Sequence, residues 1–174
     1  GSGKSTIMKI IRGYIENYEG KVLLNNKNIK DIPLSIINSS FLYISQNETL
    51  FNDSIKNNIL GSRNIDYENY SKIINILNLE KIFDNKVFRE NEYIEENGFN
   101  LSGGERQKII LARSLLNDFN YLIMDEALSE LDEAEEKDIL KNIINNFKEK
   151  TIIYITHKNN VEHLFNRKVY IEGE

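Results

Sequence analysis

Three short stretches of this chain carry residue types spaced for chemistry. The first is Gly1-Ser2-Gly3-Lys4-Ser5-Thr6. It is the second half of the phosphate-binding loop G-x-x-x-x-G-K-S/T. Backbone N–H groups must crowd around phosphate oxygens in such a loop, and Gly1 and Gly3, with Ser2 between them, supply that freedom. Lys4 places a charge near the outer phosphates, Ser5 offers a hydroxyl to Mg2+, and Thr6 at the helix start can donate to an inner phosphate. The alternative is a Gly-Ser turn ahead of an amphipathic helix. The loop's first residues and the strand that feeds them are expected upstream. The sequence therefore reads as an excised fragment, cut at both ends.

The second stretch is Tyr121-Leu122-Ile123-Met124-Asp125-Glu126. An apolar strand ending in Asp-Glu puts two carboxylates at the C-terminal edge of a parallel sheet, where α/β folds bind ligands. Asp125 suits a Mg2+ shell and Glu126 suits a general base acting on water. A pair of helix-capping acids after a core strand is the other reading. The third stretch is Leu101-Ser102-Gly103-Gly104-Glu105-Arg106-Gln107. Ser102 and Glu105 form a capping box. Two glycines in a helical first turn each cost ~1 kcal/mol against alanine. Gly103 and Gly104 make sense if a ligand presses against the backbone amides at that positive helix end.

The elements that must hold these stretches alternate. Helices are expected over residues 5–12, 103–117 and 133–147, and strands over 21–24, 41–44, 121–124 and 152–155. Asn25-Asn26 is a plausible hairpin turn, and Pro33 opens a short helical piece. Beyond 155 a short helix and a last strand near 169–171 are expected. Tyr70, Ile73, Ile74 and Leu77 fall on one helical face, as do Ile139, Leu140, Ile143, Ile144 and Phe147. No strand is expected between 53 and 100. Apolar strands alternating with helices imply an α/β fold, a mostly parallel sheet covered by helices.

Composition narrows the function classes. The chain has 174 residues, 40% hydrophobic and 28% charged, which suits one folded domain rather than a disordered segment. The formal net charge of −5 argues against a general nucleic-acid binder. Cysteine is absent, which excludes disulfides, thiolate zinc sites and cysteine catalysis. The two histidines, His157 and His163, do not have metal-ligand spacing. No apolar run approaches the ~20 residues needed to span a bilayer. His163 reads as a surface histidine, Glu133, Glu135, Glu136 and Asp138 as a solvated helix face, and the tyrosines as core-edge or surface packing.

Leu101-Ser102-Gly103-Gly104-Glu105, followed by a helix and an apolar strand ending in Asp125-Glu126, resembles the ATP-binding-cassette (ABC) ATPases. The rest of that family's pattern follows in order. Gln46 matches the Q-loop glutamine, Ser129-Glu130-Leu131-Asp132 the D-loop, and His157 the switch histidine. The stretch from Gln46 through Leu50-Phe51 to Ser54-Ile55 and Asn58-Ile59 is similar to exporter-type cassettes, as is Glu96-Asn97-Gly98-Phe99-Asn100 before the signature. Two residues depart from the pattern: Glu105 stands where many exporters carry Gln, and Glu130 replaces a small residue.

The resemblance implies a P-loop NTPase fold over residues 1–174. A small helical subdomain, approximately 53–117, is inserted between the Q-loop and the signature motif. It implies ATP and Mg2+ as ligands, with Glu126, His157 and Gln46 catalytic and Ser5, Gln46 and Asp125 around the metal. Residues 1–6 and 102–104 would bind nucleotide. It further implies a head-to-tail dimer with a second nucleotide-binding domain and a partner transmembrane domain, fused or separate, at the cytoplasmic face of the plasma membrane. No nucleic acid is expected. The runner-up is a soluble cassette ATPase of DNA repair, chromosome organisation or translation. The short insert and the Leu50-Phe51 segment weigh against it. A non-hydrolysing cassette is disfavoured by the presence of Lys4, Gln46, Asp125, Glu126 and His157.

Overall fold

The parity of side chains along three strands organises the molecule. The computed structural model describes residues 3–46, 48–80, 83, 91–95, 98 and 100–171. Among these, β3 (Phe41–Ser45), β4 (Tyr121–Asp125) and β5 (Thr151–Ile155) form a parallel sheet in the order β3-β4-β5. Ser45, Asp125 and Ile155 lie in register, so the three carboxyl ends share one edge. Successive residues of a strand face opposite sides. Phe41, Ile123 and Ile155 pack with Met8, Ile29 and Ile37 on one face. Ile44, Leu122 and Met124 pack on the other with Ile109, Leu111, Ile139, Leu140 and Ile143. A sheet covered on both faces needs apolar strands, as β4 is up to its last residue, Asp125.

Helix α1 (Lys4–Ile11) contributes Met8 to the first face. After it, β1 (Leu23–Leu24) and β2 (Lys27–Asn28) pair antiparallel, with Leu24 opposite Lys27. Asn25 (φ 47°) and Asn26 (φ 65°) both take the left-handed conformation of a two-residue hairpin turn, as expected of that dipeptide. Pro33 caps α2 (Leu34–Ser40).

Among the described residues, four further helices contribute to the second face. Ser54 caps α3 (Ile55–Leu60) and Asp66 caps α4 (Tyr67–Ile76). Tyr70, Ile73, Ile74 and Leu77 are all buried, as their spacing predicts. Helix α5 (Gly103–Leu115) starts from the Ser102–Glu105 capping box, and α6 (Glu133–Asn146) from an Asp132 cap. Between residues 53 and 100 the only β pairing among the described residues is an isolated bridge, Ser54 to Tyr93.

Two expectations fail. Residues 169–171 form no strand; Val169 and Tyr170 are exposed. A strand exists only where its N–H and C=O groups find a ladder. This segment instead folds back on the turn Glu162–Leu164, where Lys168 Nζ lies 2.5 Å from Glu162 Oε2. The acids of α6 are a solvated face only in part: Glu133 and Asp138 are exposed, and the other two are not. Glu136 is fully buried, and Glu135 pairs with the buried Lys108 at 2.6 Å. Glu136 lies three and four residues before Ile139 and Leu140, which places it on the inward stripe.

Candidate functional site

The shared carboxyl edge of the sheet collects four of the expected residues. Asp125 ends β4, Glu126 follows it, Gln46 follows β3, and His157 lies two residues beyond β5. The Glu126 N–H donates to the Ile155 carbonyl at 3.0 Å, extending the β4–β5 ladder by one step. Glu126 then turns into the left-handed region at φ 54°, a conformation that costs a non-glycine residue ~1–3 kcal/mol and clusters at functional sites. Its Oε1 sits 2.9 Å from His157 Nε2. That contact is a hydrogen bond when Nε2 carries a proton. His157 is otherwise 70% exposed, so the imidazole is open to a ligand. Gln46 is exposed at the same edge.

Asp125 is held from the neighbouring strand. The Tyr43 hydroxyl donates to Asp125 Oδ2 at 2.7 Å. Burial and the adjacent carboxylate push the Tyr43 phenol up to about 12, so it stays a donor. The Arg12 guanidinium at the end of α1 lies over the Tyr43 ring, 4.5 Å from its centroid. The helix that follows the phosphate loop is thereby tied to the strand that supports Asp125. Tyr43 and Asp125 share one face because both strand positions have the same parity. That parity counts only once β3 and β4 are paired in this register, so the sequence alone does not separate Tyr43 from the packing tyrosines.

At the start of α1, Gly3 caps the helix with φ 74°. A side chain is strained in that conformation, which accounts for glycine here. Ser5 and Thr6 are exposed in the first turn and Lys4 is half-buried. Gly1 and Ser2 lie outside the described residues, as do Glu96, Asn97 and Phe99 of the expected lead-in. A hydroxyl at Ser5, a carboxylate at Asp125 and an amide oxygen at Gln46 are hard oxygen donors of the kind Mg2+ takes.

The Ser102 corner is built differently. Ser102 Oγ accepts from the Glu105 N–H at 3.2 Å, and Glu105 Oε2 accepts from the Ser102 N–H at 2.7 Å. Gly104 has a reason inside the chain, the buried Leu131, while the Glu130 side chain over Gly103 is exposed and can move. A Cβ on Gly103 would overlap the Glu130 carboxyl, and one on Gly104 would lie 2.6 Å from Leu131 Cδ2. Glu130 and Leu131 therefore press directly onto the helix start. Gln107, missed in the sequence, brackets that turn: its Nε2 donates to Ser129 Oγ at 3.1 Å, and its Oε1 accepts from the Glu130 N–H at 3.0 Å. Arg106 Nη2 reaches Glu130 Oε2 at 3.4 Å, so the unusual Glu130 has a partner.

A family profile described as "ABC transporter" matches residues 1–129. The chain belongs to the ABC transporter family. The cassette is 38% identical over 160 residues to the "ATP-dependent lipid A-core flippase" of Idiomarina loihiensis, covering 91% of this chain and 28% of the flippase. It is 35% identical to the "Microcin-J25 export ATP-binding/permease protein McjD" of Escherichia coli, with 92% and 28% covered. Its fold matches the "Structure of a bacterial Atm1-family ABC exporter with ATP bound" at a TM-score of 0.79 and 27% identity, over 91% of this chain and 28% of that one. The cassette thus spans under a third of the length of these relatives. Among its described residues, no helix is long and apolar enough to cross a membrane.

Proposed function

We propose that this chain is the ATP-binding and ATP-hydrolysing domain of an ABC exporter. The observation that carries this is the contact of Glu126 with His157 at the sheet edge, beside an Asp125 already oriented by Tyr43. Glu126 takes the proton of the attacking water, which turns that water into the nucleophile at the γ-phosphate. His157 holds the water and the γ-phosphate in line, and Gln46 faces the same oxygens from the end of β3. Gly1, Ser2, Gly3 and the first N–H groups of α1 cradle the phosphates, Lys4 neutralises the outer ones, and Thr6 donates to an inner one. Ser5, Asp125 and Gln46 would hold Mg2+, which would supply positive charge to stabilise the transferred phosphoryl group.

Ser102, Gly103 and Gly104 serve the nucleotide of a second cassette in a head-to-tail dimer. The helical subdomain, approximately 53–117, carries them. The partner on the other side is a transmembrane domain, which places the cassette at the cytoplasmic face of the plasma membrane. The exporter names of the relatives and the similarity over nearly the whole chain support this reading. The test uses the full-length protein in lipid vesicles. Mg2+-dependent ATP hydrolysis is expected, and Glu126→Gln lowers turnover about 100-fold or more while retaining ATP and trapping a closed dimer. Near-normal turnover in the variant removes Glu126 from the role of base. A wild-type protein without hydrolysis sinks the ATPase reading itself.

A further inference from the structure

The face of the sheet opposite Asp125 hides a charged cluster. Glu136 on α6 has no exposed surface. Its Oε1 accepts from the Tyr154 hydroxyl at 2.5 Å, and its Oε2 pairs with Lys158 Nζ at 2.9 Å. The same Nζ reaches the Leu131 carbonyl at 3.4 Å. Burial and the Glu136 carboxylate push the Tyr154 phenol up, so it too remains a donor. Glu136 is fully buried while the Lys158 side chain keeps 33% exposure, and an ion pair with one buried member is a poor route to net stability, because apolar residues of similar volume do as well or better. Its value lies in fixing one arrangement of the elements it joins.

Those elements matter here. Lys158 directly follows His157, and its backbone N–H donates to Thr156 Oγ1 at 3.0 Å. Leu131 ends the turn whose side chains lie over Gly103 and Gly104. We propose that Lys158 is a positioning residue: clamped by Glu136, it fixes the turn that presents His157 to Glu126 and ties that turn to residues 129–131. The reach of His157 and the placement of the Glu130–Leu131 turn on the start of α5 are then set together. This inference rests on the catalytic role proposed for His157.

The test uses three variants of the full-length protein: Lys158→Met, Lys158→Arg and the neutral pair Glu136→Gln with Lys158→Met. The single Met variant leaves Glu136 buried and unpaired and destabilises the fold. The neutral pair removes that burden, while the amide oxygen introduced at position 136 still accepts from Tyr154. The neutral pair is expected to melt near the wild type, with kcat down about tenfold or more and KM for ATP within about twofold, since misplaced catalytic groups cost rate rather than binding. Lys158→Arg restores kcat to within about threefold. Hydrogen exchange rises together over residues 128–132 and 156–160 in the neutral pair. Wild-type kcat in the neutral pair, failure of that pair to fold, or faster exchange over 156–160 alone would each overturn the proposal. If the wild-type protein shows no hydrolysis, the functional reading fails instead, and the exchange measurement still decides the clamp.

Discussion

The sheet edge and the Ser102 corner are both built from short polar motifs, yet they are finished differently. At the edge, His157 touches Glu126 and is otherwise open, Gln46 is exposed, and Glu126 holds a strained backbone. At the corner, the cap is reciprocal, Gln107 satisfies two groups of the neighbouring turn, and that turn fills the space above both glycines. Open polar groups suit a site that must accept water and phosphate. A closed corner suits a surface that must arrive preformed, since ordering it on contact would weaken binding. The two regions are joined through Lys158, which reaches from the residue after His157 to the Leu131 carbonyl.

Substitutions that separate the two regions sharpen this contrast. The largest effect is expected at the edge: in the role proposed for it, His157 arranges the reacting groups rather than holding the nucleotide, so His157→Ala lowers kcat about 100-fold with a smaller change in KM. Unchanged turnover over a range of ATP concentrations would reduce His157 to a strand-end residue. Next, Gly104→Val forces Leu131 aside and blocks the corner. Hydrolysis by the full-length protein falls at least about tenfold, while nucleotide affinity of the isolated cassette stays within about twofold. A collapse of that affinity would place the corner in the chain's own nucleotide site.

Gln107→Leu tests whether the corner is preformed. It strips partners from Ser129 and the Glu130 N–H and costs ~1–3 kcal/mol, read as a lower thermal midpoint. An unchanged midpoint would mean that the bracket holds nothing. The smallest effect is expected from Tyr43→Phe. It frees Asp125 from its hydrogen bond and raises the Mg2+ concentration for half-maximal hydrolysis by about tenfold at most, with turnover at saturating Mg2+ little changed. If turnover falls and the Mg2+ dependence stays put, Tyr43 acts on packing and not on the metal-site carboxylate.

Much of the frame was legible. The Tyr70–Ile73–Ile74–Leu77 stripe, the Asn25-Asn26 turn and the Ser102–Glu105 box each depend on residues within a turn or two of one another, and each stands where its spacing puts it. The errors have a common cause. The 169–171 segment has strand-forming residues, but strand formation depends on a neighbour that sequence pattern alone does not supply. Glu136 shares its charge with the acids around it, but its offset from Ile139 and Leu140 turns it inward. Gln107 and Tyr43 carry no motif of their own.

The order of the motifs, the helix caps and the alternation of apolar strands with helices are all local properties, because they follow from turn geometry and from the 2-residue and 3.6-residue periods of strand and helix. Which polar groups meet depends on how the elements pack. Tyr43 finds Asp125 because β3 and β4 pair in one register, and Glu126 meets His157 because β5 lies beside β4. Lys158 finds Glu136 and Leu131 because α6 covers the opposite face of the same sheet. Residues 22 to 82 positions apart come together only when burial of the two apolar faces fixes the strands side by side, and no local rule encodes that distance.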